Sequence, residues 1–199
     1  MEIKKVGVLG AGVMGGQIAA HLNNVGLEVI AFDLDLDTAK KGLDATKSLK
    51  PSPFYNIKTA DKIKAASFDQ LELLKDCDWV VEVIAEKLEW KTDLYSKIEE
   101  HLSENAIVTS NTSGLLLSDL TSSMSDSLKK RFFITHFFNP PRYMKLVEFI
   151  TSEHNSKESV DFMKDFMTNV LGKGVVVAKD TPNFIANRIG TYGMMVCLQ

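Results

Sequence analysis

"VGVLGAGVMGGQIAAHL", residues 6–22, decides how the rest of the chain is read. A short apolar run leads straight into Gly10-x-Gly12-x-x-Gly15, and helical spacing begins at once. Gly10 permits a tight turn off a strand, Gly12 lets backbone amides approach an anion at the helix N-terminus, and Gly15 lets helix and strand pack closely. The expected loop contacts of a bound dinucleotide are therefore Gly10, Gly12, Val13, Met14 and Gly15. The next strand-like run, "EVIAFD" (28–33), ends in Asp33. An acid about 20 residues after the glycine loop suits the hydroxyls of an adenosine ribose. Asp35 and Asp37 follow, with no Arg or Lys beside Asp33 to meet a 2′-phosphate, so NAD is favoured over NADP. A glycine turn with an acidic loop is the bland alternative, and an FAD or other adenine-nucleotide site uses similar physics; both stay open at this point.

Outward from the loop, short β-like runs alternate with helical patterns. Strands are expected at 4–10, 28–33, 78–85, 106–110, 131–137, 145–150 and 174–178, and helices at about 13–25, 37–49, 69–76, 88–102, 115–124 and 156–171. Several strand runs are continuously apolar, as in parallel sheets buried on both faces. The alternation predicts an α/β fold of the Rossmann type: a doubly wound, mostly parallel sheet with helices on both faces. Residues 50–60, "KPSPFYNIKTA", are Pro-rich and polar and read as an exposed connection. In "TPNFIANRIGTYGMMVCLQ", Phe184, Arg188/Ile189, Tyr192 and Met195/Val196 recur at helical spacing, with Pro182 as a helix start. That helix stops on an apolar stripe without a cap, the pattern of a piece of a longer chain.

Bulk composition excludes several classes. The 199 residues are 45% hydrophobic and 25% charged, an ordinary globular balance for one sizeable domain or a domain plus a fragment. A net charge of −3 leaves no footprint for nucleic acid or an anionic membrane. Cys77 and Cys197 are too few for a disulfide framework or a zinc site, so no metal is expected and a reducing compartment suits them. The N-terminus enters a strand at once, no apolar stretch is long enough to span a bilayer, and a cytoplasmic location is the default expectation.

Several polar residues stand where strands end or where burial is expected. Ligands of open α/β sheets bind beyond the C-terminal ends of the strands. In "DWVVEVIAEKLEWK" this favours Glu86 over Glu82, with Lys91 in the next helix near the same crevice. A solvated loop acid and a surface lysine are equally simple readings. "TSNTSGL" (109–115) brings Asn111, Thr112 and Ser113 to another strand end, where they serve either a site or a helix cap. Ser–His–acid hydrolysis lacks a Gly-x-Ser-x-Gly elbow here and leaves the glycine loop without a purpose.

In "THFFNPPRYMKLVEFI" (135–150), the Asn-Pro-Pro turn folds Glu148 back toward His136. A histidine suits the proton transfer that accompanies hydride removal from an alcohol, and a carboxylate on its other ring nitrogen fixes the tautomer. A satisfied, partly buried histidine is the plain alternative, and it is the preferred reading of His21, His101 and His154.

Together these motifs resemble the NAD-binding part of the L-3-hydroxyacyl-CoA dehydrogenases, including those fused to enoyl-CoA hydratase modules. The likeness runs from "GVLGAGVMG" through "SNTSGL" and "HFFNPPRYMKLVE" to "KDTPNFIANRIG", and is weakest in 44–72. It implies NAD-dependent oxidation of a 3-hydroxyacyl-CoA in fatty-acid β-oxidation, with His136 as catalytic base and Glu148 as its orienter. Ser113 and Asn187 then bond the reacting oxygen and the thioester carbonyl, while Glu86, Lys91 and Asn111 fall on the cofactor side. It also implies an NAD-binding domain over 1–182 and the first helix of a helical domain over 183–199, through which the family often dimerises. A non-catalytic, crystallin-like member of the superfamily and a β-hydroxyacid dehydrogenase acting on free acids are the rival readings.

Overall fold

Strand β1 (Lys5–Leu9) is sealed from its second residue onward, and its apolar side chains supply both faces of the sheet. Val6 and Val8 join one core cluster and Leu9 the other. The same split recurs along β2 (Glu28–Asp33), where Val29 and Ala31 face one cluster and Ile30 and Phe32 the other. Such two-faced burial requires helices on both sides. The computed structural model describes residues 2–198. The remaining strands are β3 (Lys64–Ser67), β4 (Trp79–Glu82), β5 (Ile107–Ser110), β6 (Phe132–Phe137), β7 (Leu146–Ile150) and β8 (Gly174–Ala178). The α-helices are α1 (Val13–Asn24), α2 (Leu36–Lys47), α3 (Leu88–Ile98), α4 (Leu117–Leu120), α5 (Asp126–Lys129), α6 (Lys157–Asp165) and α7 (Ala186–Cys197), and the helix expected over 69–76 is a 3-10 helix, Phe68–Asp76.

The strand order is β3-β2-β1-β4-β5-β6-β7-β8. Its first six strands are all parallel and follow the dinucleotide-fold order, 3-2-1-4-5-6. β7 returns antiparallel to β6, and β8 runs parallel to β7. The chain leaves β1 toward β2 and crosses back to β4, so a crevice opens beyond Leu9 and Glu82. The expected doubly wound α/β fold is the observed one.

Local details depart from the sequence reading where neighbours decide. β3 was not expected: "KAAS" has little strand propensity, and it becomes a strand by pairing with the open edge of β2. The connection over 50–60 is mostly exposed, as expected, but Pro53, Phe54 and Ala60 within it are buried. Asn24 bonds the Pro53 carbonyl at 2.8 Å and the Tyr55 amide at 2.9 Å, while Arg142 Nη1 holds the Ser52 and Phe54 carbonyls at 2.7 and 2.8 Å. The last helix does not begin at Pro182. A turn spans 182–185, and α7 starts at Ala186.

Candidate functional site

Gly10 has φ of 105°, and a Cβ there would come 2.8 Å from the Val83 carbonyl oxygen. A Cβ on Gly15 would lie 1.7 Å from the Gly10 oxygen, so the loop tolerates no side chain at either point. Around Gly12 the space is open. Gly12 caps α1 without a side-chain bond, and the first turn of α1 holds no acidic residue. The amides of Val13, Met14 and Gly15 therefore begin a helix whose first turn carries no acid and no side-chain cap of its own. Asp33 accepts from the Ala11 amide at 2.8 Å and the Leu34 amide at 2.8 Å. It braces the loop and retains lone pairs for a ribose. These residues border a cleft of about 670 Å³ lined by Gly10, Gly12, Asp33, Leu34, Ile84 and Trp90. A bare helix N-terminus, a glycine-lined cradle and an acid at the end of β2 fit a dinucleotide such as NAD.

Beyond the end of β4 lies a buried polar network. Glu82 is fully buried and accepts four bonds: Ile84 amide 2.7 Å, Lys91 Nζ 2.6 Å, Tyr95 hydroxyl 2.5 Å and Ser110 Oγ 2.6 Å. Lys91, expected beside the cofactor, is 1% exposed. Its ammonium is held by Glu82, by the Ile84 carbonyl at 3.2 Å and by Glu86 at 3.5 Å. Glu86 reaches the surface and accepts from Thr112 Oγ1 at 2.6 Å and the Ser113 amide at 2.8 Å, with Ser113 Oγ at 3.3 Å. Burial pushes the Glu86 carboxyl up, but the Thr112 hydroxyl, the Lys91 charge and the Ser113 amide outweigh it and hold it below the usual range. Burial, with the Glu82 charge next, keeps the Tyr95 phenol well above its ordinary value. Sequence reasoning saw Glu82 as a buried strand acid and missed it as the hub. No local signal marks Tyr95 or Ser110 as its partners.

The β6–β7 register sets His136 directly opposite Glu148. Nδ1 of His136 lies 2.7 Å from Glu148 Oε2, in a pair that is 6% and 1% exposed. With Nδ1–H donated to the carboxylate, Nε2 is left as a lone-pair acceptor; it has no protein partner and is not sealed from solvent. Asn111 Oδ1 accepts from the Phe137 amide at 2.9 Å, pinning the residue after His136. Gln17 Nε2 on α1 donates to Asn139 Oδ1 at 3.0 Å, tying the hairpin turn to the glycine-loop helix. Beneath the turn, Lys173 donates to the carbonyls of Pro141 and Met144. Burial lowers its pKa to about 8.

The remaining oxygen of Glu148 accepts from the Ile185 and Ala186 amides at 2.9 and 2.8 Å. Asn187, next in the chain, donates Nδ2 to the Ser113 carbonyl at 2.8 Å. A continuous hydrogen-bond chain thus links His136, Glu148, the start of α7, Ser113 and Glu86. The fold brings the residues expected at the reacting centre into one cluster and the glycine loop with Asp33 into the adjoining cleft. His21 stands apart, 3% exposed in α1 with neither ring nitrogen bonded, and burial, aided by the Lys173 and Arg142 charges, lowers its pKa to about 4.

Comparison with known proteins gives the family. The model of the 3-hydroxyacyl-CoA dehydrogenase family, NAD binding domain, matches residues 5–181. A Bacillus subtilis protein named as a probable 3-hydroxyacyl-CoA dehydrogenase is 44% identical over 220 residues, covering 100% of this chain and 28% of its own length. A Rickettsia felis protein named for a fatty acid oxidation complex trifunctional enzyme is 46% identical over 202 residues, covering 96% of this chain and 28% of its own length. The crystal structure of (S)-3-hydroxybutyryl-CoA dehydrogenase from Ralstonia eutropha superimposes with a TM-score of 0.80 at 31% identity, over 94% of this chain and 68% of that one. The chain spans 28% of the length of each of the two curated relatives, and that shared part is the dinucleotide fold. It belongs to the 3-hydroxyacyl-CoA dehydrogenase family, of which it carries the NAD-binding domain.

Proposed function

We propose that the protein oxidises L-3-hydroxyacyl-CoA esters to 3-ketoacyl-CoA esters in fatty-acid β-oxidation, with His136 as general base and Glu148 as its orienter. The observation that carries this reading is the 2.7 Å contact between His136 Nδ1 and Glu148, which leaves Nε2 open. Bound NAD supplies the hydride acceptor. As the hydride leaves C3 of the substrate, His136 Nε2 takes the hydroxyl proton, and the carboxylate of Glu148 stabilises the imidazolium formed. In the reverse direction the imidazolium returns that proton to the developing alkoxide. Ser113 Oγ and the second Nδ2 hydrogen of Asn187 supply donors for the reacting oxygen and the thioester carbonyl. Glu86, with Lys91 beneath it, holds the Ser113 loop at the cofactor's side of the cluster.

We further take residues 1–182 as the NAD-binding domain and 183–199 as the first helix of a helical domain. The exposed apolar side chains of α7, among them Ile189, Tyr192 and Met195, support that division. Dimerisation through such a domain, and a fused or associated enoyl-CoA hydratase module, belong to the same proposal. The trifunctional relative supports the latter.

An NADH-linked assay with acetoacetyl-CoA tests the reading on the full-length protein. His136→Ala should lower turnover ~100–10,000-fold, the range of a well-placed general base, while NADH affinity is unchanged. Undiminished turnover would overturn the assignment of the base. Preference for free 3-hydroxy acids over CoA esters would favour the β-hydroxyacid alternative.

A further inference from the structure

The segment Asp180–Asn187 grips both halves of the site. On one side the Asp180 carboxylate accepts from the Leu117 and Ser118 amides at 2.7 and 2.9 Å. The Asn183 amide donates to the Gly114 carbonyl at 3.4 Å, and Asn187 bonds the Ser113 carbonyl at 2.8 Å. On the other side the Ile185 and Ala186 amides hold Glu148 Oε1 at 2.9 and 2.8 Å, while Oε2 holds His136 at 2.7 Å. Both sides are reached because the chain reverses between Thr181 and Ala186.

That reversal needs two consecutive residues in the left-handed region: Asn183 at φ 62° and Phe184 at φ 45°, the only non-glycine residues with positive φ among those described. Asparagine enters this region at modest cost, but a bulky residue such as phenylalanine is rare there. Such strain persists where the surroundings over-determine it, and it concentrates at working sites. Here the surroundings are visible. Phe184 is 1% exposed, with its ring 6.1 Å from the His136 ring. Asn183 Oδ1 sits where a Cβ on Gly114 would approach to 2.7 Å. A glutamate holding His136 through one oxygen alone could rotate about its terminal bond. With both oxygens engaged it cannot, and the imidazole plane is fixed with it.

We propose that Asn183 is a positioning residue: its left-handed backbone aims the Ile185 and Ala186 amides at Glu148, so that the Ser113 loop and the His136–Glu148 pair move as one unit. The inference rests on the reading of His136 as base and adds the element that holds its orienter. A purely structural turn would also lose stability when Asn183 is replaced, so the test reads the histidine itself.

Asn183→Gly, Asn183→Ala and Asn183→Val are to be compared in the full-length protein. Glycine accepts positive φ freely, alanine poorly, and a β-branched residue worst. Turnover of acetoacetyl-CoA should stay within about threefold of wild type for Asn183→Gly. It should fall about 10- to 100-fold for Asn183→Val, with KM for NADH unchanged, as expected when a reacting group is misplaced. In proton NMR the downfield signal of a carboxylate-held His136 Nδ1–H, identified by its loss in His136→Gln, should persist in Asn183→Gly and vanish in Asn183→Val. If Asn183→Val does not fold, Asn183→Ala decides by weakening that signal. Wild-type turnover together with an intact downfield signal in a folded Ala or Val variant would overturn the proposal. So would an equal loss in Asn183→Gly, because the side chain rather than the backbone would then matter. The NMR comparison needs no substrate, so it decides the clamp even if the protein fails to turn over acyl-CoA, the result that would instead sink the proposed function.

Discussion

Glu82 and Glu148 are both buried carboxylates on the central sheet, each bonded to a cationic or titratable side chain, yet they are built differently. Glu82 receives four donors, two on each oxygen, and its ammonium partner Lys91 is itself spent on three oxygens. Every member of that network is satisfied inside the fold. Glu148 receives two backbone amides on one oxygen and His136 on the other, and His136 keeps Nε2 open. A saturated carboxylate can only hold its neighbours in place. One that shares its charge with a base left open on its far side can serve a reaction.

Replacing each by glutamine should separate the two roles. Glu82→Gln leaves the Lys91 ammonium buried beside a neutral amide, and should cost about 3 to 5 kcal/mol in a urea melt. Glu148→Gln leaves no charge stranded when His136 is neutral and should cost about 1 kcal/mol. Turnover of acyl-CoA should rank the other way for that second variant, falling about 100-fold for a folded protein. Equal melting costs would erase the distinction.

His21 sharpens the comparison, being a buried titratable group with no acidic partner. Its folded pKa of about 4 lies below the ordinary 6.5, so the unfolded chain binds the proton more readily. The stability this represents is fully present above pH 6.5 and is lost as pH falls through 6.5 toward 4, by up to about 3 kcal/mol. Wild type should therefore lose up to about 3 kcal/mol relative to His21→Leu in melts between pH 7 and pH 4; parallel curves would remove His21 from the acid response. Tyr95→Phe takes one of four donors from Glu82 and should cost about 1 to 2 kcal/mol, with no charge stranded. A larger loss would mean that the network fails as a unit rather than bond by bond.

Much of the fold was legible because its signals are local. Glycines at fixed offsets, an acid closing β2 and unbroken apolar runs each act within one strand–turn–helix unit. The hairpin was legible too, since the Asn-Pro-Pro turn constrains which residue returns opposite His136. Other features carried no such mark. "KAAS" is a strand only because β2 offers an unpaired edge. Phe54 packs into the core cluster while Asn24 and Arg142, far away in sequence, hold the backbone around it. Lys91 read as a residue near the crevice, and nothing in its own neighbourhood showed that Glu82 would draw its ammonium inside.

By itself, then, the sequence determined the dinucleotide fold and the identity of the polar residues at the strand ends, Asp33 among them. These depend on backbone sterics and on charge within a few residues of each motif. Only the tertiary structure decided which of those residues share an oxygen: Glu82 closed within its network, Glu148 divided between His136 and the start of α7, and Asn183 turned left-handed to join them. Hydrogen-bond partners separated by tens of residues are selected by packing, and no local pattern records them.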